Sequence, residues 1–326
     1  MTKTKLKPFE PAFGLSNNHL QTIYSSIFRK PQNIPYDIKK FFLSDGDFVE
    51  CYWHKSSKQT TNTPLCVIFH GLAGSYESPY IEGVVQELDD NGFDAVVMHF
   101  RGCATEDNLL PRSYHSGETG DALEFLKHLK KSNPEKKLYT VGYSLGANMM
   151  LKLLGELKEN TLIEKAVGVS PPMQLKSSAD SINKGFSRYY QHRLMKLLNA
   201  SLEKKFLKHD MSKLIQIKKE EVKDLTTFWE FDDAYTAPVH GFDSAEDYYD
   251  KCSSKQYLKF IQTPTLIIHS KDDPFMSQEV IPKKEELSPT TTLELYNRGG
   301  HVGFIAGSFL KPVYWLEKRI VEYLKD

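Results

Sequence analysis

The sequence predicts an α/β protein: a mostly parallel central sheet flanked by helices, with an inserted helical cap. Three observations carry that class. Short continuous apolar runs such as Leu65-Cys66-Val67-Ile68-Phe69 suit strands buried on both faces. These runs alternate with segments of helical periodicity, as right-handed strand–helix–strand crossovers require. The alternation breaks at Pro171-Pro172 and resumes only at Thr265, a gap far longer than the roughly dozen residues a crossover needs.

Residues 1–35 read as irregular, Pro-punctuated chain. A hairpin follows, with strands at 39–43 and 48–54 joined through Asp45-Gly46, a strong turn signal between apolar-alternating runs. Residues 59–64 read as a polar loop and 65–69 as the first buried strand. The spacing of Ile81, Val84, Val85 and Leu88 predicts a helix over 79–91, stopped at Gly92. A strand at 94–100 comes next, then a helix at 116–131 with Ala122, Leu123, Phe125, Leu126 and Leu129 on one face. Asp121, near its start, suits a cap or dipole role. A strand at 138–143, a helix at 145–157 and a strand at 162–169 complete a first core segment, 1–170. Residues 171–262 are read as the cap, helical in patches such as 188–205. A second core segment, 263–326, carries a strand (265–270), a helix (278–287), a strand (292–296), a Gly-rich turn and a terminal helix (312–324).

Composition narrows the function classes. Hydrophobic residues are 40% and charged residues 26% of 326, enough for a large core and against disorder. Forty-two basic residues balance 42 acidic ones, so nucleic acid is not expected as a partner. Cys51, Cys66, Cys103 and Cys252 are scattered and make no zinc pattern, which predicts a reduced, cytoplasmic protein. Lys3, Lys5 and Lys7 precede no apolar run, so no signal peptide is expected. No stretch approaches the roughly 18 apolar residues of a membrane helix, although transient contact with a membrane surface stays compatible. The sequence holds no GxGxxG or Walker pattern, and Asp232-Asp233 with His240 fits no standard metal spacing. Neither a cofactor nor a metal is expected.

The chemistry concentrates in Gly142-Tyr143-Ser144-Leu145-Gly146. It matches G-x-S-x-G between a strand and a helix, where a sharp turn holds a serine hydroxyl above the sheet. The base expected is His301, in the glycine turn after the last strand. His54, His128, His192, His209 and His240 lack that framing. The strand at 265–270 is followed by Asp272-Asp273, and an acid there gives the chain order Ser…Asp…His of α/β-hydrolases. Either aspartate can serve. Similar hydrolases place the acid three positions after a small strand-ending residue, which from Ser270 favours Asp273. An oxyanion hole needs two backbone N–H donors. Leu145, just after the serine, supplies one. Leu72, in the His70-Gly71-Leu72-Ala73-Gly74-Ser75 loop, supplies the other, with His70 as a buried orienting residue. Arg101 and residues 112–117 read as loop-pinning structure ahead of a pocket role.

The sequence resembles the YheT-like branch of the α/β-hydrolases, related to eukaryotic α/β-hydrolase-domain lipases and yeast medium-chain acyltransferase/esterases. The resemblance runs through Asn18-His19-Leu20-Gln21-Thr22, the His70–Ser75 loop and Phe100-Arg101-Gly102-Cys103. It continues in Pro111-Arg112-Ser113-Tyr114-His115-Ser116-Gly117, Gly142-Tyr143-Ser144-Leu145-Gly146-Ala147-Asn148, Asp272-Asp273-Pro274-Phe275 and Gly299-Gly300-His301-Val302-Gly303-Phe304. Ala147 stands where a glycine is common, a small-for-small change. The resemblance implies Ser144, Asp273 and His301 as a charge-relay triad, and esterase- or lipase-like action on a small-molecule acyl ester. The expected reaction is ester hydrolysis through an acyl-enzyme, on short-to-medium acyl chains or acylglycerols. Acyl transfer to an alcohol and a catalytically silent binding module are the alternatives. Cap residues such as Tyr189, Tyr190, Leu194, Leu197, Phe231 and Tyr235 read as cap core ahead of acyl-chain pocket.

Overall fold

The computed structural model describes residues 6–60, 62–160 and 162–326. Lys3, Lys5 and, in the polar loop, Thr61 lie outside the described residues. The first element is a helix, α1 (Asn18–Phe28). It is followed by β1 (Asp37–Phe42), β2 (Phe48–His54), β3 (Leu65–Phe69), α2 (Pro79–Asp90), β4 (Asp94–Met98), α3 (Gly120–Ser132), β5 (Leu138–Tyr143), α4 (Leu145–Leu157) and β6 (Lys165–Val169). The insertion holds α5 (Leu175–Ile182), α6 (Ser187–Lys208), α7 (Phe228–Phe231), a π-helical turn (Asp232–Thr236), α8 (Ala237–His240) and α9 (Ala245–Cys252). After it come β7 (Thr265–Ser270), β8 (Thr291–Tyr296), β9 (Ile305–Gly307), β10 (Pro312–Tyr314) and α10 (Trp315–Lys325).

Eight of these strands form one sheet in the order β1-β2-β4-β3-β5-β6-β7-β8. The hairpin strand β2 pairs antiparallel with β1 and β4, and all later neighbours are parallel. Successive residues of β3 explain its unbroken apolar run. Leu65, Val67 and Phe69 pack with Leu126 of α3 and Met150 and Leu154 of α4. Cys66 and Ile68 pack on the other face with Ile81, Val84 and Leu88 of α2 and Ile320 of α10. Each fully buried side chain of this size contributes roughly 1.5–3 kcal/mol. Because β3, β5, β6, β7 and β8 run in one direction, their C-terminal ends lie along one edge of the sheet.

Four local expectations need correction. The segment expected to be irregular contains α1, capped by Asn17, whose side chain accepts from the His19 and Leu20 amides. The helix expected at 278–287 is instead two 3₁₀ turns, Gln278–Val280 and Lys284–Glu286. Pro282 between them lacks an N–H and blocks helix propagation. Residues 312–314 are not helical, because they pair as β10 with β9. Asp121 does not cap α3: its carboxylate grips the buried Arg101 guanidinium through two bonds of 2.6 Å. Arg101 also reaches Asp45 and Asp47, at 2.8 and 3.0 Å, and so pins its loop to the hairpin turn.

Candidate active site

The turn from β5 into α4 forces Ser144 to φ 50° and ψ −118°, a conformation that costs a non-glycine residue of order 1–3 kcal/mol. Its amide is tied back to Val169 O at 2.8 Å. A Cβ on Gly142 would lie 2.7 Å from Ala147 Cα, and one on Gly146 would collide with the Phe69 and His70 carbonyls. Both glycines of the motif are therefore steric requirements of the elbow.

His301 Nε2 lies 3.0 Å from Ser144 Oγ, and His301 Nδ1 lies 2.8 Å from Asp273 Oδ2. The carboxylate only accepts, so Nδ1 carries the hydrogen and Nε2 offers its lone pair to the serine hydroxyl. Asp273 is held by the Phe275 amide at 2.9 Å, and the Phe275 ring stacks on His301 at 4.1 Å and 11°. Asp272 faces elsewhere in the same loop. Its Oδ1 accepts from the Gly300 amide at 3.0 Å, and its carbonyl accepts from Asn18 Nδ2 at 2.7 Å.

The role of the Asn18–Thr22 motif emerges only in three dimensions. Thr22 Oγ1 accepts from the His301 amide at 2.9 Å while donating to Asn18 O at 2.8 Å. Gln21 clasps both backbone groups of Ile305, accepting from its amide at 2.7 Å and donating to its carbonyl at 3.0 Å. Helix α1 is so close that a Cβ on Gly300 would lie 2.7 Å from Thr22 Oγ1. Sequence reasoning missed these positioning residues because it missed the helix. The signal was present in Asn17 as a cap and in the helical spacing of Leu20, Ile23, Tyr24 and Ile27.

The loop after β3 has its amides sorted by two tyrosines. Gly71 N donates to Tyr80 Oη at 3.1 Å, Ala73 N to Tyr114 Oη at 2.9 Å and Gly74 N to Gly71 O at 3.0 Å. Among the described residues, neither the Leu72 nor the Leu145 amide donates to a protein acceptor. Both residues line the same cavity as Ser144. Tyr80 carried no signal in the sequence, and Tyr114 entered only as part of a longer motif. His70 lies beneath: Nδ1 donates to Gly71 O at 2.7 Å and Nε2 accepts from Phe100 N at 3.2 Å. Burial pushes its pKa down to about 3, with the nearby His99 adding to the shift, so it is a neutral structural group.

Ser144 and His301 open into a cavity of about 1140 Å³ walled by α1, α5, α6 and the π-helical turn. Tyr189, Tyr190, Leu194, Leu197, Phe231 and Tyr235 all line it. These side chains, expected as cap core ahead of acyl-chain pocket, thus reach the cavity, and Phe231 and Tyr235 also pack in the cap cluster. Asp232 lies on this wall, accepting from Thr236 Oγ1 at 2.6 Å and Tyr249 Oη at 2.7 Å. Burial raises its pKa to about 6 against those two bonds. Asp233 instead accepts from Ala245 N, and His240 spans the Thr236 and Ser113 carbonyls.

An elbow serine at the C-terminal edge of a mostly parallel sheet is the arrangement of the α/β-hydrolases. Residues 64–308 match the family described as the alpha/beta hydrolase fold, and the chain belongs to it. Within that family it is 43% identical to "Putative esterase YheT" of Escherichia coli (strain K12) over 97% of this chain and 92% of that protein, so it is a member of the YheT-like branch. It is 33% identical to the monoacylglycerol lipase of Saccharomyces cerevisiae over 74% of this chain, and spans 55% of that protein. The Pyrococcus furiosus esterase shares the fold, with a TM-score of 0.59 at 18% identity over 90% of this chain and 91% of that one. The relatives are thus hydrolases of esterase and lipase type. Among the described residues no helix is long and apolar enough to cross a membrane.

Proposed function

We propose that this chain is a serine hydrolase of carboxylic esters that works through an acyl-enzyme on Ser144. The observation that carries the reading is the unbroken hydrogen-bond path from Asp273 through His301 to Ser144 at the wall of the large cavity. Ser144 Oγ attacks the acyl carbon while His301 Nε2 takes its proton. Asp273 stabilises the resulting imidazolium and fixes the ring's orientation. The Leu72 and Leu145 amides hold the oxyanion; removing one such donor typically costs about 3–4 kcal/mol of transition-state stabilisation. His301 returns the proton to the leaving alcohol, and water then cleaves the acyl-enzyme by the same steps reversed.

Residues 171–262 act as the cap that shapes selectivity without supplying a reacting group. Pockets for drug-sized ligands span roughly 300–1,000 Å³. The cavity here exceeds that range, and its Leu194 and Leu197 wall suits an acyl chain of short-to-medium length or an acylglycerol. The test is labelling by a fluorophosphonate together with a chain-length panel of p-nitrophenyl esters. Ser144→Ala is expected to lose both activities, with turnover falling on the order of 10⁶-fold. Retention of more than a few per cent of wild-type rate would sink the reading. Product analysis with an added alcohol separates hydrolysis from acyl transfer.

A further inference from the structure

Large apolar side chains at full exposure are scattered on most soluble proteins, but here they gather. Phe28 and Phe309 meet at 5.3 Å between ring centroids, with Tyr24 touching both. Phe13 bridges to Ser308, and Leu310 follows two residues later in the β9–β10 turn, next to Phe309. Phe13 is 90% exposed and Leu310 88%. Neither packs in the core, so folding does not account for their being apolar. The patch runs into the cavity: Ile27, adjacent to Phe28, is exposed and also lines the cavity wall. Across the opening, Tyr189 and Leu197 of α6 are likewise both exposed and cavity-lining, and exposed Phe186 stands beside Tyr189 at 5.8 Å.

Charge follows the same contour. Residues 187–202 of α6 contain Arg188, Arg193 and Lys196 but no Asp or Glu. Among the described residues these three, and Lys30 and Lys311 beside the aromatic patch, have no carboxylate partner. Three acids line the cavity and each is engaged: Glu77 by Tyr76 Oη, Asp107 by Lys204 and Lys208, and Asp232 by Thr236 and Tyr249. The whole chain is charge-neutral, so unpaired cations on α6 and beside the aromatic patch are a local feature. A second copy of the chain would bring the same cations against themselves. An anionic bilayer would meet both halves of the pattern, with apolar side chains entering the acyl boundary and cations meeting the headgroups.

We propose that this rim is a docking surface for anionic lipid bilayers, which seats the cavity mouth on the membrane plane. The proposal rests on the ester-hydrolase reading only for why a bilayer would be the source of substrate; the binding itself needs no catalysis. Flotation of the purified full chain with phosphatidylcholine vesicles, with and without phosphatidylglycerol, reads it directly. Binding is expected with the anionic vesicles, weakening as salt is raised. The pair Phe13→Ser/Leu310→Ser, and separately Arg188→Glu/Lys196→Glu, should each lower partitioning by at least about tenfold. Both pairs sit outside the proposed catalytic and cavity residues, so hydrolysis of a soluble p-nitrophenyl ester should stay within about twofold of wild type, which also shows that they fold. Equal binding to neutral vesicles, or unchanged binding by both pairs, overturns the proposal. So does a wild-type dimer in sedimentation that the same substitutions dissolve, because the rim would then be a self-interface. Ser144→Ala protein should bind vesicles normally, so a chain that binds but hydrolyses no ester keeps this inference and removes the enzymatic one.

Discussion

Asp272 and Asp273 are adjacent in sequence but meet the His301 loop at different atoms. Asp273 takes the ring nitrogen, and Asp272 takes the Gly300 backbone amide. The two asparagine variants should therefore separate cleanly. Asp273→Asn leaves the shape but removes the charge that the proposed mechanism uses to stabilise the imidazolium, and the amide can fix the wrong tautomer. Turnover on a soluble ester should fall by about 10⁴, as for the equivalent change in a well-studied serine protease. Asp272→Asn retains an oxygen that can accept from Gly300, so its cost should be roughly 1 kcal/mol of stability and little rate. Steady-state kinetics beside urea unfolding measures both; a dead Asp272→Asn with an active Asp273→Asn would reverse the assignment. At this scale the sequence was informative. The strand-end spacing of similar hydrolases favoured Asp273 over Asp272, and Asp273 is the one that lies beside His301. The sequence could not single out Tyr80 or Tyr114, because a hydroxyl that accepts a loop amide leaves no pattern in its own neighbourhood.

At the scale of elements, α1 lies near the opposite end of the chain from the His301 loop yet packs directly against it. Thr22 is its point of contact, accepting the His301 amide at 2.9 Å. Thr22→Val keeps the shape and removes the acceptor, leaving a partly buried N–H unpaired. The loop should relax, and a displacement near 1 Å of a reacting group costs about a hundredfold in rate. We expect kcat to fall by about ten- to a hundredfold with KM within about twofold, and Thr22→Ser to restore it. A loss that serine does not rescue would place the effect in packing and exclude the hydrogen bond. Elements with a clear periodicity and a single environment, such as β3, β5 and α2, were legible from the chain alone. The failures have local causes: Pro282 divides an otherwise helical pattern, and residues 312–314 look helical until β9 supplies a pairing partner. The cavity was illegible for a related reason. Its walls come from α1, α5, α6 and the loop after β3, which no local pattern joins.

Over the whole molecule, four histidines are buried neutral, and that couples stability to pH. Burial lowers His70 to about 3 and His99 and His269 to about 4, and lowers His115 well below its usual value. In the unfolded chain each binds a proton near 6.5. Their contribution is therefore complete above about pH 6.5 and is lost as pH falls toward 4, because only the unfolded state gains protons in that window. Asp232 and Glu317 run the other way, since burial raises them to about 6 and 7 and the folded state holds their protons longer. Four groups outweigh two, so stability should fall on acidification from pH 6.5 to 4.5. A single substitution isolates one term. His99 donates to Glu50 O and accepts from Tyr76 N, a pair of bonds that a glutamine amide can also offer without taking a proton. His99→Gln should be less stable at pH 7.5, where reshaped packing is its only effect. Its unfolding free energy should then decline more slowly on acidification, by about 1 kcal/mol per pH unit between 6 and 4.5. Urea titrations of both proteins across that range measure the difference. Parallel pH dependences would mean that His99 accepts its proton in the folded state, and that its site admits water that the closed packing around Tyr52 and Tyr76 excludes.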